Sequence, residues 1–253
     1  MNSIEEPKKN PRRGIYLLPN LFTTGCLFSG FYAILSAMSG NYEKAAIAIF
    51  VAMVLDGLDG RIARLTNTAS EFGVEYDSLA DMVSFGLAPA LVMYVWAFQD
   101  LGKLGWAVAF AYVAGTALRL ARFNTQAAVA DKRFFQGLPS PSAAGVVAGL
   151  IWMSVENGLT GDDVTVFALI ATFCAGIFMV SNFRYYSFKQ IDFKGKVPFV
   201  TMLMVVLVFT FITLDPPQIL FGGFLIYMLS GLFITLWGIR QRRIQRSQEN
   251  DSN

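Results

Sequence analysis

An all-α, polytopic membrane protein is what this sequence predicts, on three observations. Of its 253 residues, 55% are hydrophobic and only 15% charged, with a mean hydropathy of +0.49; a soluble domain carries about 25% charged residues. Apolar runs of bilayer-crossing length recur along the chain, each closed by glycine, proline or charge. The basic residues then fall in alternate loops. All but Lys44 and Lys103 of the 20 lie within residues 8–13, 61–64, 119–133, 184–196 and 240–246. The intervening loops carry Glu43, Asp100, Glu156, Asp162, Asp163 and Asp215 instead. By the positive-inside rule this pattern needs an even number of spans and puts both termini on the cytoplasmic side.

Taken in order, about eight transmembrane helices are expected. Residues 1–14 are basic and proline-containing, and suit a short interfacial segment on the cytoplasmic surface. The first apolar run is too long for a signal h-region and lacks a small-residue cleavage site, so no cleavable signal is expected. Pro19-Asn20 opens a first span near 18–39, and Gly40-Asn41 turns the chain into a second, 42–65. Thr68-Ala69-Ser70-Glu71 fits a capping box that starts the third, 72–98. The fourth runs 103–122. Ser140 as N-cap and Pro141 as first helical residue open the fifth. The sixth, seventh and eighth follow at 163–181, 197–214 and 217–239. Residues 15–240 thus form one transmembrane domain, and 241–253 a polar cytoplasmic tail.

Two absences of residue types narrow the chemistry. There is no histidine, which removes the commonest general base and any imidazole-held metal. The two cysteines, Cys26 and Cys174, sit in apolar helices and read as small buried hydrophobes rather than a disulfide or thiolate site. A net charge of +2, spread as helix anchors, gives no reason to expect a nucleic-acid partner.

The chemistry gathers between Asp56 and Asp81. The stretch reads Asp56-Gly57-Leu58-Asp59-Gly60-Arg61-Ile62-Ala63-Arg64, followed after eight residues by Gly73, Asp77 and Asp81. Spacings of i, i+3 and i, i+4 place each pair of carboxylates on one helical face. Asp56 lies about 21 Å along its helix from Tyr42, so the acids sit toward one membrane interface. Ionisable groups there are costly and mark function by default. Their natural partner is a hard divalent cation such as Mg²⁺, which takes oxygen ligands.

Asp-x2-Asp-Gly-x2-Ala-Arg-x8-Gly-x3-Asp-x3-Asp resembles the signature of the CDP-alcohol phosphotransferases. These are membrane enzymes that move a phosphoalcohol from a CDP-linked donor to a second alcohol and release CMP. The resemblance implies two divalent ions, Mg²⁺ or Mn²⁺, with Asp56, Asp59 and Asp77 as ligands and Asp81 touching the second ion. It also implies Asp81 as general base and a CDP site at Gly60, Ala63, Arg64, Gly73 and Asn20. A homodimer in the cell (inner) membrane, with its active site facing the cytoplasm, is implied as well. Small residues at Gly60 and Ala63 also suit close helix packing, and Arg64 also suits a membrane anchor.

For the acceptor, Arg119 and Arg122 stand one turn apart with Asn124 beside them, near the Gln136–Ser142 stretch and its helix start. Paired guanidinium groups suit a carboxylate or phosphate. These stretches and Asn182-Phe183-Arg184-Tyr185-Tyr186 resemble the phosphatidylserine synthase branch of the family, implying CDP-diacylglycerol and L-serine as substrates within the lipid bilayer. Glycerol-3-phosphate or an inositol phosphate is the alternative acceptor. An intramembrane prenyltransferase would show acid-rich repeats on two distant helices. A divalent-cation transporter would show inverted repeats and broken midplane helices, neither of which is found.

Overall fold

The computed structural model describes residues 17–66, 68, 70–126, 134–186 and 199–251, and almost all of these are helical. The interfacial segment expected over residues 1–14 lies outside the described residues. Helix α1 (Leu17–Met38) carries Pro19 in its first turn, where a missing N–H costs nothing. It ends at Gly40, whose φ of +74° lets the chain reverse into α2 (Tyr42–Leu65). The two lie along each other for most of their length.

The third helical stretch, Glu71–Leu101, is continuous but not uniform. It comprises α3 (Glu71–Asp81), a π-helical turn (Met82–Leu87), α4 (Ala88–Met93), a second π turn (Tyr94–Phe98) and a last 3-10 turn. Ser70 is the N-cap, its hydroxyl accepting from the Gly73 N–H at 3.0 Å. That replaces the capping box expected from Thr68 and Glu71: the helix begins at Glu71, which leaves no room for Glu71 at the third position. Helix α5 (Lys103–Gln126) follows, then α6 (Ser140–Glu156) and α7 (Gly161–Val180). Pro139, not Ser140, is the N-cap of α6, because the Ser140 side chain is used elsewhere. Helices α8 (Phe199–Leu214) and α9 (Pro216–Asp251) close the fold, and α9 stays helical through the polar tail expected from residue 241.

By length and composition, five helices among the described residues can cross a membrane: Leu18–Met38, Glu71–Leu101, Lys103–Thr125, Gly161–Val180 and Pro216–Trp237. The other three expected spans correspond to α2, which carries the charged motif, and to α6 and α8, of 17 and 16 residues. All-α membrane architecture is therefore plain; length and composition by themselves pick out five of the eight expected spans. The outward surface agrees with a lipid solvent, since Phe28, Phe31, Phe110, Val166, Phe209 and Ile226 are all exposed.

Small residues let the helices approach closely around a core that also buries Tyr112, Tyr185, Phe85 and Phe98. Ala33, Ala45, Ala52, Ala143, Ala144, Ala168 and Ala175 are buried between helices. Gly115 of α5 faces Gly176 of α7 so closely that a Cβ on Gly115 would fall 2.6 Å from the Gly176 carbonyl oxygen. Such contacts suit membrane helices, where packing rather than hydrophobicity drives association. One small departure from pure helix matters for the site: β1 (Phe134–Gln136) pairs antiparallel with β2 (Arg184–Tyr186), Gln136 opposite Arg184.

Candidate active site

Helices α2 and α3 present their acids to each other at one end of the bundle, with the start of α1 beside them. One carboxylate oxygen from each of Asp56, Asp59 and Asp77 lies within 4.8 Å of the other two. Oxygen donors alone, all anionic and this close, fit a hard divalent cation; without one, three mutually repelling carboxylates would be held together at a membrane edge. Asp59 is the most enclosed, only 5% exposed, and its Oδ2 accepts a 2.8 Å hydrogen bond from Thr23 Oγ1 of α1. The Pro19 carbonyl lies 3.2 Å from the same hydroxyl and shares its one proton, the shorter contact being to Asp59.

Asp81 stands one turn beyond Asp77 and is not part of that three-carboxylate group. Its Oδ1 is buried and accepts no hydrogen bond from the described residues. Asp56, Asp77 and Arg119 are near enough for their charges to act on it.

A groove of about 110 Å³ opens beside the acids, between the starts of α1 and α3 and the end of α2. Asn20, Gly60, Ala63 and Gly73 line it together with Asp59 and Asp77. Arg64 is exposed in the last turn of α2 and is not among the lining residues. A Cβ added to Gly60 would meet nothing within 4 Å. Helix packing therefore does not require glycine there; open space does lie in front of it. Gly73 is tighter, with Ser70 Oγ at 3.2 Å and Asn20 Oδ1 at 3.6 Å from the same hypothetical atom. Thr24 and Tyr76 join α1 to α3 through their hydroxyls at 2.9 Å.

Residues 16–178, well over half of the chain, match the family profile described as CDP-alcohol phosphatidyltransferase. The chain belongs to that family. Among curated relatives, a Helicobacter pylori protein named CDP-diacylglycerol–serine O-phosphatidyltransferase is 37% identical over 217 residues, covering 86% of this chain and 91% of its own. A Mycobacterium tuberculosis protein of the same name is 40% identical over 159 residues, 60% of this chain and 55% of its own. One from Saccharomyces cerevisiae, also of that name, is 39% identical over 151 residues, 54% of each.

Within this CDP-alcohol phosphatidyltransferase, the three residues expected to hold the acceptor do different things. Arg119 Nη1 donates to Ser140 Oγ, at the start of α6, at 2.7 Å. Asp81 and Asp56 reach it electrostatically, as do Tyr227 of α9 and Tyr112. Arg122 instead donates to Gln136 Oε1 at 2.9 Å and Asn182 Oδ1 at 2.6 Å, with the Val180 carbonyl at 3.4 Å. Asn124 bridges to Ser78 of α3, donating from Nδ2 at 3.1 Å. Thr23, Ser78 and Tyr112 escaped the sequence reading. Thr23 had a signal: it follows Asn20 by three residues, on the face that meets the acids.

Proposed function

We propose that this chain transfers a phosphatidyl group from CDP-diacylglycerol to the hydroxyl of L-serine, giving phosphatidylserine and CMP. The observation that carries the reading is the convergence of Asp56, Asp59 and Asp77 on one another beside an open groove. The choice of serine draws on the printed name of the relatives, one of them matched nearly end to end.

Asp56, Asp59 and Asp77 would hold the divalent cation, Mg²⁺ or Mn²⁺, and Asp81 would lie close to a second. A cation there supplies charge neutralisation and orientation for the diphosphate of the donor. The chain's own residues do the rest. Thr23 holds Asp59 in place where it lines the groove. Gly60, Ala63 and Gly73 give the nucleotide room to approach the backbone, with Asn20 and Arg64 at its rim. Asp81 accepts the proton of the serine hydroxyl as that oxygen bonds to the β-phosphorus and the bond to the CMP oxygen breaks. The buried, unbonded Oδ1 of Asp81 suits it to receive a proton, since no other donor among the described residues occupies it. Arg119 holds the serine carboxylate, and Arg122 and Asn124 set the wall around it.

Eight crossings, with both termini and the acids cytoplasmic, a homodimeric assembly and an inner-membrane location complete the proposal. The alternating basic loops support the orientation; a reporter at Asp162 that proved cytoplasmic would refute it. The reaction itself is tested with purified protein, CDP-diacylglycerol, Mg²⁺ or Mn²⁺, and serine, glycerol-3-phosphate and an inositol phosphate offered in parallel. Serine-dependent CMP release with formation of phosphatidylserine is expected. Release only with a phosphorylated alcohol would move the chain to another acceptor.

A further inference from the structure

The third helical stretch changes its winding directly after Asp81. Met82–Leu87 is a π-helical turn, and the N–H of Ala88 reaches back five residues to the Val83 carbonyl. Such turns are rare and gather at functional sites. Here the sequence supplies a cause. A proline inside a helix has no N–H for the carbonyl four residues earlier and drives its ring against that group. Four residues before Pro89 stands Phe85.

In a membrane, a carbonyl released by proline has to find a donor on a neighbouring element. It does so on α5: Tyr112 Oη donates to the Phe85 carbonyl at 3.0 Å, and Tyr112 is wholly buried. The same wide turn is held on its other side by α1. Ser84 Oγ donates to the Cys26 carbonyl at 2.9 Å, and Gly30 comes so near that a Cβ there would lie 2.6 Å from the Ser84 Cα. Asp81 is the residue on which the turn begins. Its Oδ1 is buried and unbonded, so a shift of the backbone that carries Asp81 would move this oxygen directly.

We propose that Tyr112 is a positioning residue for phosphatidyl transfer: by holding the Phe85 carbonyl that Pro89 frees, it fixes the wide turn from which Asp81 faces the reacting groups. Tyr112 touches no substrate. Its effect runs through the backbone, and the inference rests on Asp81 being the base.

A double-mutant cycle with Pro89 separates this role from ordinary packing, because Pro89→Ala restores the N–H that the Phe85 carbonyl lacks. Full-length wild type, Tyr112→Phe, Pro89→Ala and the double variant are compared in lipid nanodiscs for CMP release and for thermal unfolding. Tyr112→Phe should lower kcat roughly tenfold, as for other indirect supports of a catalytic group, with both KM values within about twofold. In the Pro89→Ala background the same substitution should cost less than about twofold in kcat, and the loss in unfolding temperature should shrink in parallel. If Tyr112→Phe alone proved too unstable to purify, the double variant compared with Pro89→Ala would still decide. An unchanged kcat in Tyr112→Phe, equal losses in both backgrounds, or a KM effect matching the kcat effect would overturn the proposal. Wild type that transfers no phosphatidyl group would overturn the reaction reading instead, and the unfolding cycle would still judge the contact.

Discussion

Replacing Thr23 by valine removes one hydroxyl and changes almost nothing in volume. Thr23 Oγ1 gives Asp59 a hydrogen bond of 2.8 Å, and Asp59 is only 5% exposed, so water cannot take the donor's place. Two effects then oppose each other. Without the donor, Asp59 is a more basic ligand, which favours a cation. It is also free to rotate away from Asp56 and Asp77, which disfavours one. A hydrogen bond to a charged group contributes about 1.5–3 kcal/mol, which corresponds to roughly ten- to a hundredfold in an equilibrium constant. Losing an orienting partner of a metal ligand commonly costs affinity over the same range. Orientation should win, because the three oxygens already lie within 4.8 Å and a small rotation spoils the set. Thr23→Val should therefore raise the Mg²⁺ concentration for half-maximal CMP release about ten- to a hundredfold, with the rate largely recovered at saturation. Thr23→Ser keeps the donor and should stay near wild type. Direct Mg²⁺ binding by calorimetry on the CDP-free protein gives the same comparison without turnover. An unchanged Mg²⁺ requirement in Thr23→Val would refute the claim that orientation by Thr23 dominates.

Gly60→Val fills space that no protein atom occupies, so its unfolding temperature should change little while binding of CDP falls at least about tenfold; a large loss of stability with normal CDP binding would return Gly60 to a packing role. The arginines should separate. Arg119→Lys keeps the charge but loses the planar fork, and is expected to raise the serine KM about tenfold or more, with little change for CDP-diacylglycerol. Arg122→Lys cannot span Gln136, Asn182 and the Val180 carbonyl together, and should chiefly lower the unfolding temperature. Equal KM shifts for both substrates in Arg119→Lys would move it to the donor side.

Much of the donor side was legible because its residues are consecutive along two helices. Asp56, Asp59, Gly60 and Ala63 occupy one face of α2 at fixed spacing, and Asp77 follows after a short turn. Helical periodicity alone brings such residues together. Spacing alone did not tell which three carboxylates converge, since i, i+4 treats Asp77 and Asp81 alike; the family motif named Asp56, Asp59 and Asp77, and the approach of α2 to α3 groups those three. Thr23 and Tyr112 were hidden for a related reason. A hydroxyl in an apolar run reads as tolerated polarity until the neighbouring helix shows what it bonds. The β1–β2 ribbon went unseen because three-residue strands carry no period, and residues 134–136 and 184–186 pair across a whole helical hairpin.

The proposed acceptor side is built on another principle, and that is why spacing said little about it. Its parts come from residues 119–124, 136–140 and 180–186, and no single helix carries them. Arg122 ties two of these segments by bonding Gln136 and Asn182 at once, and the ribbon pairs Gln136 with Arg184 beside it. Helix α9 then closes the assembly: Tyr185 donates to the Met228 carbonyl at 2.9 Å, and Thr235 Oγ1 accepts from the Arg184 N–H at 3.1 Å. The family match ends at residue 178, before either of those contacts. The carboxylate motif proposed to handle a CDP-linked donor thus lies inside the matched region, while part of the scaffold around Arg119 and Arg122 lies beyond it. With that division, the second set can change without disturbing the carboxylates. Substitutions at Asn182 or Tyr185 should accordingly alter acceptor KM before they alter the Mg²⁺ requirement, and a shift in the Mg²⁺ requirement alone would show that the two halves are not separable.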